Sequence, residues 1–269
     1  MAIWIVTSSL SDLYLLRVLR EYNFPFHVRY DQEGWDWGDK EEGYVSARIE
    51  QGLRCLIDAG VTQIILPPIW ELRYRNHSTY GSYVMPLFYR YMTMSCLPNS
   101  RVWKLGLLGE YSDCTQQQII ANICAGHTLT QVQSVTKLFH QPIALRSCQV
   151  SMWKHFLVTL GFRNWMMHNV VKQDLHYLLD AWVDTIIPLQ YGYFAYEATI
   201  AKLFRTKKCT LHRGDVIAQV FASCLGDAVA QWYAVTVSYT GTNAHLLAEK
   251  KWLRIIQRGK EVEVSWVKV

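Results

Sequence analysis

Hydrophobic and polar positions in the first quarter of the chain alternate between short apolar runs and helical periods. Residues 3–6 are an apolar run, which is typical of a buried strand. Ser11 then stands where a helix N-cap is expected, ahead of leucines at helical spacing. Residues 42–59 place apolar side chains three and four positions apart, which predicts an amphipathic helix. Gly60 follows at the position where a helix commonly ends.

The same alternation continues through the rest of the chain. Residues 64–66 form the next predicted strand, which Pro67 and Pro68 terminate. Further strands are predicted at residues 105–108, 142–145, 185–187, 209–211 and 262–266. Helices are predicted at residues 116–124, 175–182, 194–204, 214–225 and 243–256. This alternation indicates an α/β fold with mainly parallel sheets flanked by helices.

A weak internal repeat suggests two equivalent halves. Residues 61–65 (VTQII) resemble residues 183–187 (VDTII), and each run follows a predicted helix. In open α/β sheets, ligands bind beyond the carboxyl ends of the strands. We therefore expect two similar domains with a cleft between them, to which both strand ends contribute.

Composition excludes several classes of protein. The 269 residues are 51% hydrophobic and 18% charged, which is too apolar for a disordered chain. No run approaches 18 apolar residues and no signal peptide is evident, so we expect no membrane span. The net charge is +5, and its densest basic stretch, residues 250–260, is interpreted as a solvated helix face rather than a nucleic-acid site.

The seven cysteines argue against a disulfide framework and against a zinc site. Their number is odd, and no CxxC pair is present. Scattered free thiols are typical of a reducing compartment, so we expect a cytoplasmic protein. We predict no metal site.

Several segments follow one another in the order and spacing of a known enzyme family. They are the strand, serine-rich loop and helix of residues 3–19, Tyr30-Asp31, residues 105–109 (LGLLG), Ser147-Cys148 and residues 184–187 (DTII). Over nearly its whole length, the chain resembles the glutamate racemases of the aspartate/glutamate racemase superfamily. The resemblance implies no cofactor and two α/β domains, formed here by residues 1–98 with 208–269 and by residues 99–207.

The positions that carry catalysis in that family hold other residues here. The family's first Cys-Asn-Thr falls on residues 68–70 (Pro-Ile-Trp), and its second Cys-Thr-His falls on residues 190–192 (Gln-Tyr-Gly). Its N-terminal Asp-Ser falls on residues 7–8 (Thr-Ser), and a threonine that helps to bind the substrate carboxylate falls on Glu110. The resemblance thus places these residues in a vestigial pocket: Thr7, Ser8, Asp31, Pro68, Ile69, Trp70, Glu110, Gln190, Tyr191 and Gly192.

The loss of both cysteines bears directly on the chemistry. Racemisation without a cofactor needs a base on one face of Cα and an acid on the other, and the family uses two thiols for this. Proline has no titratable group, and glutamine has no useful proton chemistry. We therefore expect a racemase-fold protein without racemase activity that acts by binding. Its expected partner is a protein or a small carboxylate ligand, and the family's frequent dimers imply a homodimer.

One alternative is a divergent, cofactor-independent isomerase or lyase that uses other acid–base groups in the same cleft. The groups available are Asp31, Glu71, Glu110, Asp113, Cys114 and His212. Each also has a structural interpretation: Glu71 and Arg73 as surface charges, Cys114 and Cys148 as core thiols. A further alternative is a metabolite sensor in which Ser8 and nearby amides hold an anion.

Aromatic residues are concentrated in residues 35–91. Trp70 stands beside the first vacated cysteine position, and Tyr191 beside the second, so we expect their side chains to fill the former pocket. The segment 71–101 is long for a simple connection and mixes arginine with tyrosine, a combination enriched at protein interfaces. We predict that it forms an exposed excursion or hairpin that binds a partner.

Overall fold

The computed structural model describes residues 3–19, 26–31, 41–96, 104–109, 144–148, 150, 152–153, 156–157, 165–205, 209–211, 213–225, 235–240 and 264–268. The chain forms two compact units. The first unit comprises Met1–Leu87 and Phe221–Val269, and the second comprises Phe88–Val220. The sequence-based boundaries at residues 98 and 208 remain a prediction.

Strands and helices alternate along the chain. The strands are β1 (Ile3–Thr7), β2 (Phe26–Asp31), β3 (Ile64–Ile65), β4 (Lys104–Leu108), β5 (Ala144–Cys148), β6 (Thr185–Pro188), β7 (Thr210–Leu211), β8 (Val235–Thr240) and β9 (Val264–Lys268). The α-helices are α1 (Tyr14–Leu19), α2 (Glu42–Asp58), α3 (Pro68–Tyr74), α4 (Leu87–Cys96), α5 (Trp165–Asp174), α6 (His176–Asp180), α7 (Glu197–Phe204) and α8 (Gly214–Leu225). Short 3-10 helices span Leu10–Leu13 and Tyr191–Tyr196.

Each unit is built on one sheet. The first unit has the strand order β3-β1-β2-β8-β9, and the second has the order β5-β4-β6-β7. The pairings between these strands are parallel. In the first sheet, Ile5 of β1 is in register with Val28 of β2 and Ile65 of β3. The expected α/β fold with mainly parallel sheets flanked by helices is confirmed.

The apolar pattern of α2 explains how the first unit packs. Val45, Ile49, Leu53 and Leu56 recur at helical spacing, and all four are buried in the core of that unit. Gly60 has a φ of 81° just beyond the helix, which confirms the predicted helix end because only glycine adopts this conformation without strain.

Several local predictions differ from the structure. Ser11 does not cap a helix, because it lies within the 3-10 helix that precedes α1. The strand predicted at residues 142–145 is β5, which extends to Cys148, and the strand predicted at residues 262–266 is β9, which extends to Lys268. Trp182 lies beyond the end of α6 with a positive φ of 53° rather than on a helix. The helices predicted at residues 116–124 and 243–256 lie outside the described residues.

The segment predicted as an exposed hairpin forms two helices joined by a turn, and residues 76–79 of that turn are exposed. Its described residues, 71–96, form most of α3, a turn and α4. The turn adds to the first sheet, because the Ile64 N–H donates to the Tyr83 carbonyl at 2.8 Å and Met85 N–H donates to Ile64 at 2.8 Å. Tyr80 and Val84 are buried there. Packing therefore accounts for the buried rings of Tyr74, Tyr80 and Tyr91, and the partner surface stays a prediction.

Gly81 fixes the turn between α3 and α4. A Cβ atom at this position would lie 2.3 Å from the Arg75 carbonyl oxygen and 2.8 Å from that of His77. Both are backbone atoms, so they cannot move aside as a flexible side chain would. By contrast, a Cβ atom on Gly43 in α2 would meet nothing within 4 Å.

We expect Gly81→Ala to lower the free energy of unfolding by about 1–3 kcal/mol, the usual range for overpacking. Gly43→Ala is the matched control, and it should raise that free energy by up to about 1 kcal/mol because alanine favours helix. Urea denaturation followed by circular dichroism measures both. Equal effects of the two substitutions would contradict the geometry of the turn.

Candidate functional site

The carboxyl ends of three neighbouring strands meet at one edge of the first sheet. Because β1 pairs in parallel with both β2 and β3, the chain segments that follow these strands emerge side by side. This first strand edge carries Thr7 at the end of β1 and Ser8 just after it. It also carries Asp31 at the end of β2 and Pro68 after β3. These are the predicted pocket residues of the first unit.

The loop after β1 is held by hydrogen bonds among its own polar side chains. The Ser9 N–H donates to Thr7 Oγ1 at 3.0 Å, and Thr7 Oγ1 donates to Asp12 Oδ2 at 3.1 Å. The hydroxyl oxygens of Ser9 and Ser11 are 2.8 Å apart. Thr7, Ser11 and Asp12 are buried, and so is Ser8 beside them. This network fixes the loop in place.

Asp31 is bound by an arginine that the sequence did not indicate. Arg48 of α2 approaches its carboxylate with two nitrogens: Nε donates to Oδ2 at 2.9 Å, and a terminal nitrogen donates to Oδ1. Both side chains are largely shielded from solvent. Such two-point pairing is among the strongest charged hydrogen bonds in proteins, so Asp31 acts here as an anchor between β2 and α2.

The helix after β3 begins at Pro68, where the sequence resemblance places the family's first cysteine. Proline is favoured at the first position of a helix because its missing N–H has no partner there in any case. Half-buried Trp70 packs against the core of the first unit, with the Arg73 guanidinium 4.7 Å from its ring. Glu71 is fully buried in the first turn, so its interpretation as a surface charge was wrong.

A second edge is formed by the carboxyl ends of β4, β5 and β6. The Gly109 N–H donates to the Cys148 carbonyl at 3.1 Å, and the Leu189 N–H donates to the Leu108 carbonyl at 2.9 Å. Gly109 has a φ of 135°, and a Cβ atom there would lie 3.2 Å from Leu189 Cβ. The backbone is therefore closely packed at this second strand edge.

Gln190 lies two residues beyond β6, where the sequence resemblance places the family's second cysteine. Its backbone is extended, with a φ of −140°, and its carbonyl accepts the Tyr193 N–H at 3.2 Å in the first turn of the 3-10 helix. Its side-chain Oε1 is buried and has no hydrogen-bond partner among the residues that the structure describes. Tyr191 and Gly192 are buried just after it.

Aromatic rings pack beyond Gln190. Trp153 makes edge contacts with Tyr193 and Tyr196, with ring centroids 5.6 and 5.5 Å apart, and its indole N–H donates to Asp174 Oδ2 at 2.7 Å. Phe194 makes a similar contact with Tyr91 at 5.6 Å. We call these five rings the aromatic layer. The loop after β6 is thus a tightly packed part of the core of the second unit.

The described cysteines lie away from the ends of β3 and β6. Cys148 ends β5, where burial and the nearby negative charge of Asp174 raise its pKa to about 11. Burial and the charge of Asp184 raise the pKa of Cys209 to about 12. Both thiols are therefore protonated near neutral pH, which supports the interpretation of Cys148 as a core thiol. Cys55 is exposed on α2.

Four predicted acid–base residues, Glu110, Asp113, Cys114 and His212, lie outside the described residues. Within the part of the chain that the structure describes, no group of three or more His, Cys, Asp and Glu side chains is placed to hold a metal ion. Among the same residues, no helix combines the length and apolar character needed to cross a membrane.

No protein-family model and no curated protein matches the chain. Solved structures of glutamate racemases do match. Isoform RacE1 from Bacillus anthracis is 13% identical with a TM-score of 0.70, covering 99% of this chain and 97% of that one. The Francisella tularensis enzyme, solved with D-glutamate, is 14% identical with a TM-score of 0.70, covering 100% and 97%. The chain therefore has the two-domain α/β fold of the glutamate racemases.

The raised thiol pKa values predict selective alkylation. At about pH 8, only about one thiol in a thousand is ionised at a pKa of about 11, and about one in ten thousand at a pKa of about 12. Iodoacetamide should therefore modify exposed Cys55 in the folded chain and leave Cys148 and Cys209 intact, as measured by peptide mass spectrometry. Unfolding in guanidinium chloride should expose all three. Alkylation of Cys148 in the folded chain as fast as Cys55 would contradict this.

Proposed function

We propose that this chain is a racemase-fold protein that acts by binding and does not racemise amino acids. The proposal rests on the two residues that follow β3 and β6, Pro68 and Gln190. Pro68 opens α3, and Gln190 precedes the 3-10 helix. Neither side chain exchanges a proton near neutral pH. A racemase without a cofactor needs two such groups, because a proton leaves one face of Cα and returns to the other.

The backbone at the first strand edge supports the proposal. Pro67 and Pro68 carry no N–H, so the start of α3 lacks two donors of the kind that hold an anionic group. Glu71 adds a buried carboxylate in the first turn of the same helix. When ionised, this carboxylate opposes a second carboxylate, such as that of an amino-acid substrate.

The packing at the second strand edge also supports the absence of racemase activity. A catalytic base must reach its substrate with a mobile proton and a clear approach. The residues after Gln190 are instead packed within the aromatic layer, where Tyr193 and Tyr196 are fully buried against Trp153. Rings of this size occupy volume that a substrate and a proton donor would otherwise share.

The alternative enzyme is less well supported by the groups it would use. Asp31 is bound at both carboxylate oxygens by Arg48. Cys148, a thiol outside the set named for that alternative, is neutral and donates to the Asp174 carbonyl at 3.2 Å. These groups serve the packing of each unit, which favours binding over catalysis.

The free thiols of Cys55, Cys148, Cys209 and Cys224 are also consistent with the cytoplasmic location that we propose.

A second candidate function, a metabolite sensor, is favoured by one atom. Gln190 Oε1 is a buried acceptor without a hydrogen-bond partner, a state that costs about 1–3 kcal/mol. The side chain as a whole is only partly buried. A small ligand with an N–H donor, such as an amine or the ammonium group of an amino acid, would satisfy this acceptor.

Proton exchange tests the main proposal. L-glutamate, D-glutamate and L-aspartate are each incubated with the chain in D2O, and the Cα–H signal is followed by proton NMR. We expect no loss of signal beyond that in buffer, because neither Pro68 nor Gln190 supplies the required base. The Francisella tularensis glutamate racemase serves as the positive control at equal concentration.

The contradicting result is equally specific. Exchange by the wild-type chain that disappears in Asp31→Asn or Glu71→Gln would favour the divergent enzyme. Circular dichroism of both variants shows whether the fold persists, so that a loss of exchange is assigned to chemistry rather than to unfolding.

Thermal denaturation tests the sensor. A ligand that binds only the folded state raises the unfolding midpoint, so ammonium, simple amines and amino acids are screened with the wild-type chain and with Gln190→Leu. A sensor shows a rise in wild type that the variant lacks. Without ligand, Gln190→Leu should unfold at an equal or higher temperature, because it removes the buried acceptor. Equal responses of both proteins would exclude Gln190 as the ligand contact.

A further inference from the structure

Two neighbouring strands in the first sheet alternate apolar and polar residues. β2 has the sequence FHVRYD and β8 has the sequence VTVSYT, and the two strands pair in parallel. In β2, Phe26, Val28 and Tyr30 are buried. His27 and Arg29, which alternate with them, are half-buried. A parallel sheet that is covered on both faces usually has near-continuous apolar strands, so this alternation indicates that one face of β2 and β8 is only partly covered.

The polar side chains of both strands lie on the face against which α2 packs. His27 is in register with Thr236 of β8. Arg29 is in register with Ser238 in the same way, and residues in register on parallel strands point to the same face. The His27 ring stacks on Trp4 with ring centroids 4.8 Å apart, and Trp4 packs against the core cluster that includes α2. Thr236 and Ser238 are half-buried as well. We call these four residues the polar sheet face: His27, Arg29, Thr236 and Ser238.

Arg29 crosses this face beside a glycine of α2. A Cβ atom at Gly52 would lie 3.6 Å from Arg29 Nε and 3.7 Å from Val6 Cγ1. Because glycine has no side chain, the Arg29 side chain lies close to the helix backbone. Arginine commonly packs its stem against apolar groups and keeps its guanidinium in contact with water. The half-burial of Arg29 fits this arrangement.

The charge of Arg29 is not matched by the carboxylate beside it on β2. Asp31 lies two residues further along the same face, and both of its oxygens accept hydrogen bonds from Arg48 of α2. Within the described part of the chain, Arg29 itself has no hydrogen bond or ion pair. Burial lowers the pKa of His27 from 6.5, so this ring is neutral at neutral pH. Two arginines and one carboxylate therefore leave a net charge of +1 here.

The donors of the polar sheet face suit a tetrahedral oxyanion. The guanidinium of Arg29 has a planar fork of N–H donors that matches phosphate oxygens, and such charged hydrogen bonds are stronger than neutral ones. The Ser238 hydroxyl, the Thr236 hydroxyl and the imidazole are donors of further hydrogen bonds. Residues two apart on a strand are separated by about 6.6 Å, and neighbouring strands by about 4.8 Å. The four residues thus surround an area that suits one small ligand.

We propose that the polar sheet face binds a phosphate group, with Arg29 as the main contact and Ser238 as the second. The source of the phosphate is either the free inorganic ion or a phosphate monoester. The face belongs to the first unit, and its residues lie within β2 and β8 rather than at the strand ends described above. The inference is independent of the proposed function, because a chain that exchanged the Cα proton of glutamate would still bind phosphate here.

Titration with inorganic phosphate, followed by two-dimensional NMR of the arginine Nε–H signals, tests the proposal. The signal that Arg29→Met lacks belongs to Arg29. Chloride keeps the ionic strength constant, so that screening is equal at every point. We expect the Arg29 signal to shift and saturate with a dissociation constant on the order of a millimolar. The Arg54 signal should not shift, because Arg54 is exposed on α2 and bonds with Tyr80 instead.

Two variants compare the loss of one positive charge at different places. Arg29→Met keeps an unbranched stem beside Gly52 and removes the guanidinium. It should weaken phosphate binding at least about tenfold, measured from the backbone amide signal of Ser238, because hydrogen bonds to charged groups are strong. Arg54→Met is the matched control, and it should bind phosphate as the wild-type chain does.

A third variant separates binding from folding. Ser238→Asp supplies a carboxylate in register with Arg29, so it should abolish phosphate binding. In chloride, it should also unfold at a higher temperature than its uncharged control, Ser238→Asn, because the new carboxylate pairs with the guanidinium. Combining each substitution with Arg29→Met should remove this difference, as expected for a direct interaction between the two positions.

Phenyl phosphate distinguishes the two sources of phosphate. Tighter binding than that of the inorganic ion identifies a monoester, and equal or weaker binding identifies the free ion. The absence of a saturable shift of the Arg29 signal would overturn the proposal. Equal weakening in Arg54→Met, unchanged phosphate binding in Ser238→Asp, or tighter binding of acetate than of phosphate would also overturn it.

Discussion

Parallel pairing of buried strands is the constraint on which the rest of this molecule depends. A parallel strand needs a crossover before the next one, so the helices cover the sheet faces and the carboxyl ends of neighbouring strands meet at one edge. In the first sheet, this gathers Thr7, Asp31 and Pro68 from positions far apart in sequence. In the second sheet, it gathers Gly109 and Gln190. The framework therefore creates a candidate site in each unit irrespective of the residues that stand there.

The two edges use those positions for internal stability. At the first edge, hydroxyl groups after β1 bond with one another, and Arg48 neutralises Asp31. At the second edge, aromatic rings pack against one another beyond Gln190. Buried polar groups stabilise a fold only when they are satisfied, and most of these are. Among the described side chains at these edges, Gln190 Oε1 lacks a hydrogen-bond partner, which is the observation behind the metabolite-sensor alternative.

The sequence predicted the elements whose signal is local. Apolar runs and helical periods located β1, α2 and β6, and Gly60 marked the end of α2. Features that depend on distant partners could not be predicted in this way. In the sequence, Arg48 looks like an ordinary helix charge, but the fold places it beside Asp31 of β2. Glu71 likewise looks like a surface residue, but the fold buries it completely. The spacing of neighbouring residues does not reveal such contacts between distant parts of the chain.

The strand order of the first sheet also has a consequence for synthesis on the ribosome. Its centre pairs β2 with β8, and its edge adds β9, so strands from both ends of the chain complete it. At about 5–20 residues per second, β2 is synthesised on the order of ten seconds or more before its later neighbour β8. The second unit, an uninterrupted stretch of chain, is complete first. The first unit therefore cannot complete its sheet until the second unit has been synthesised.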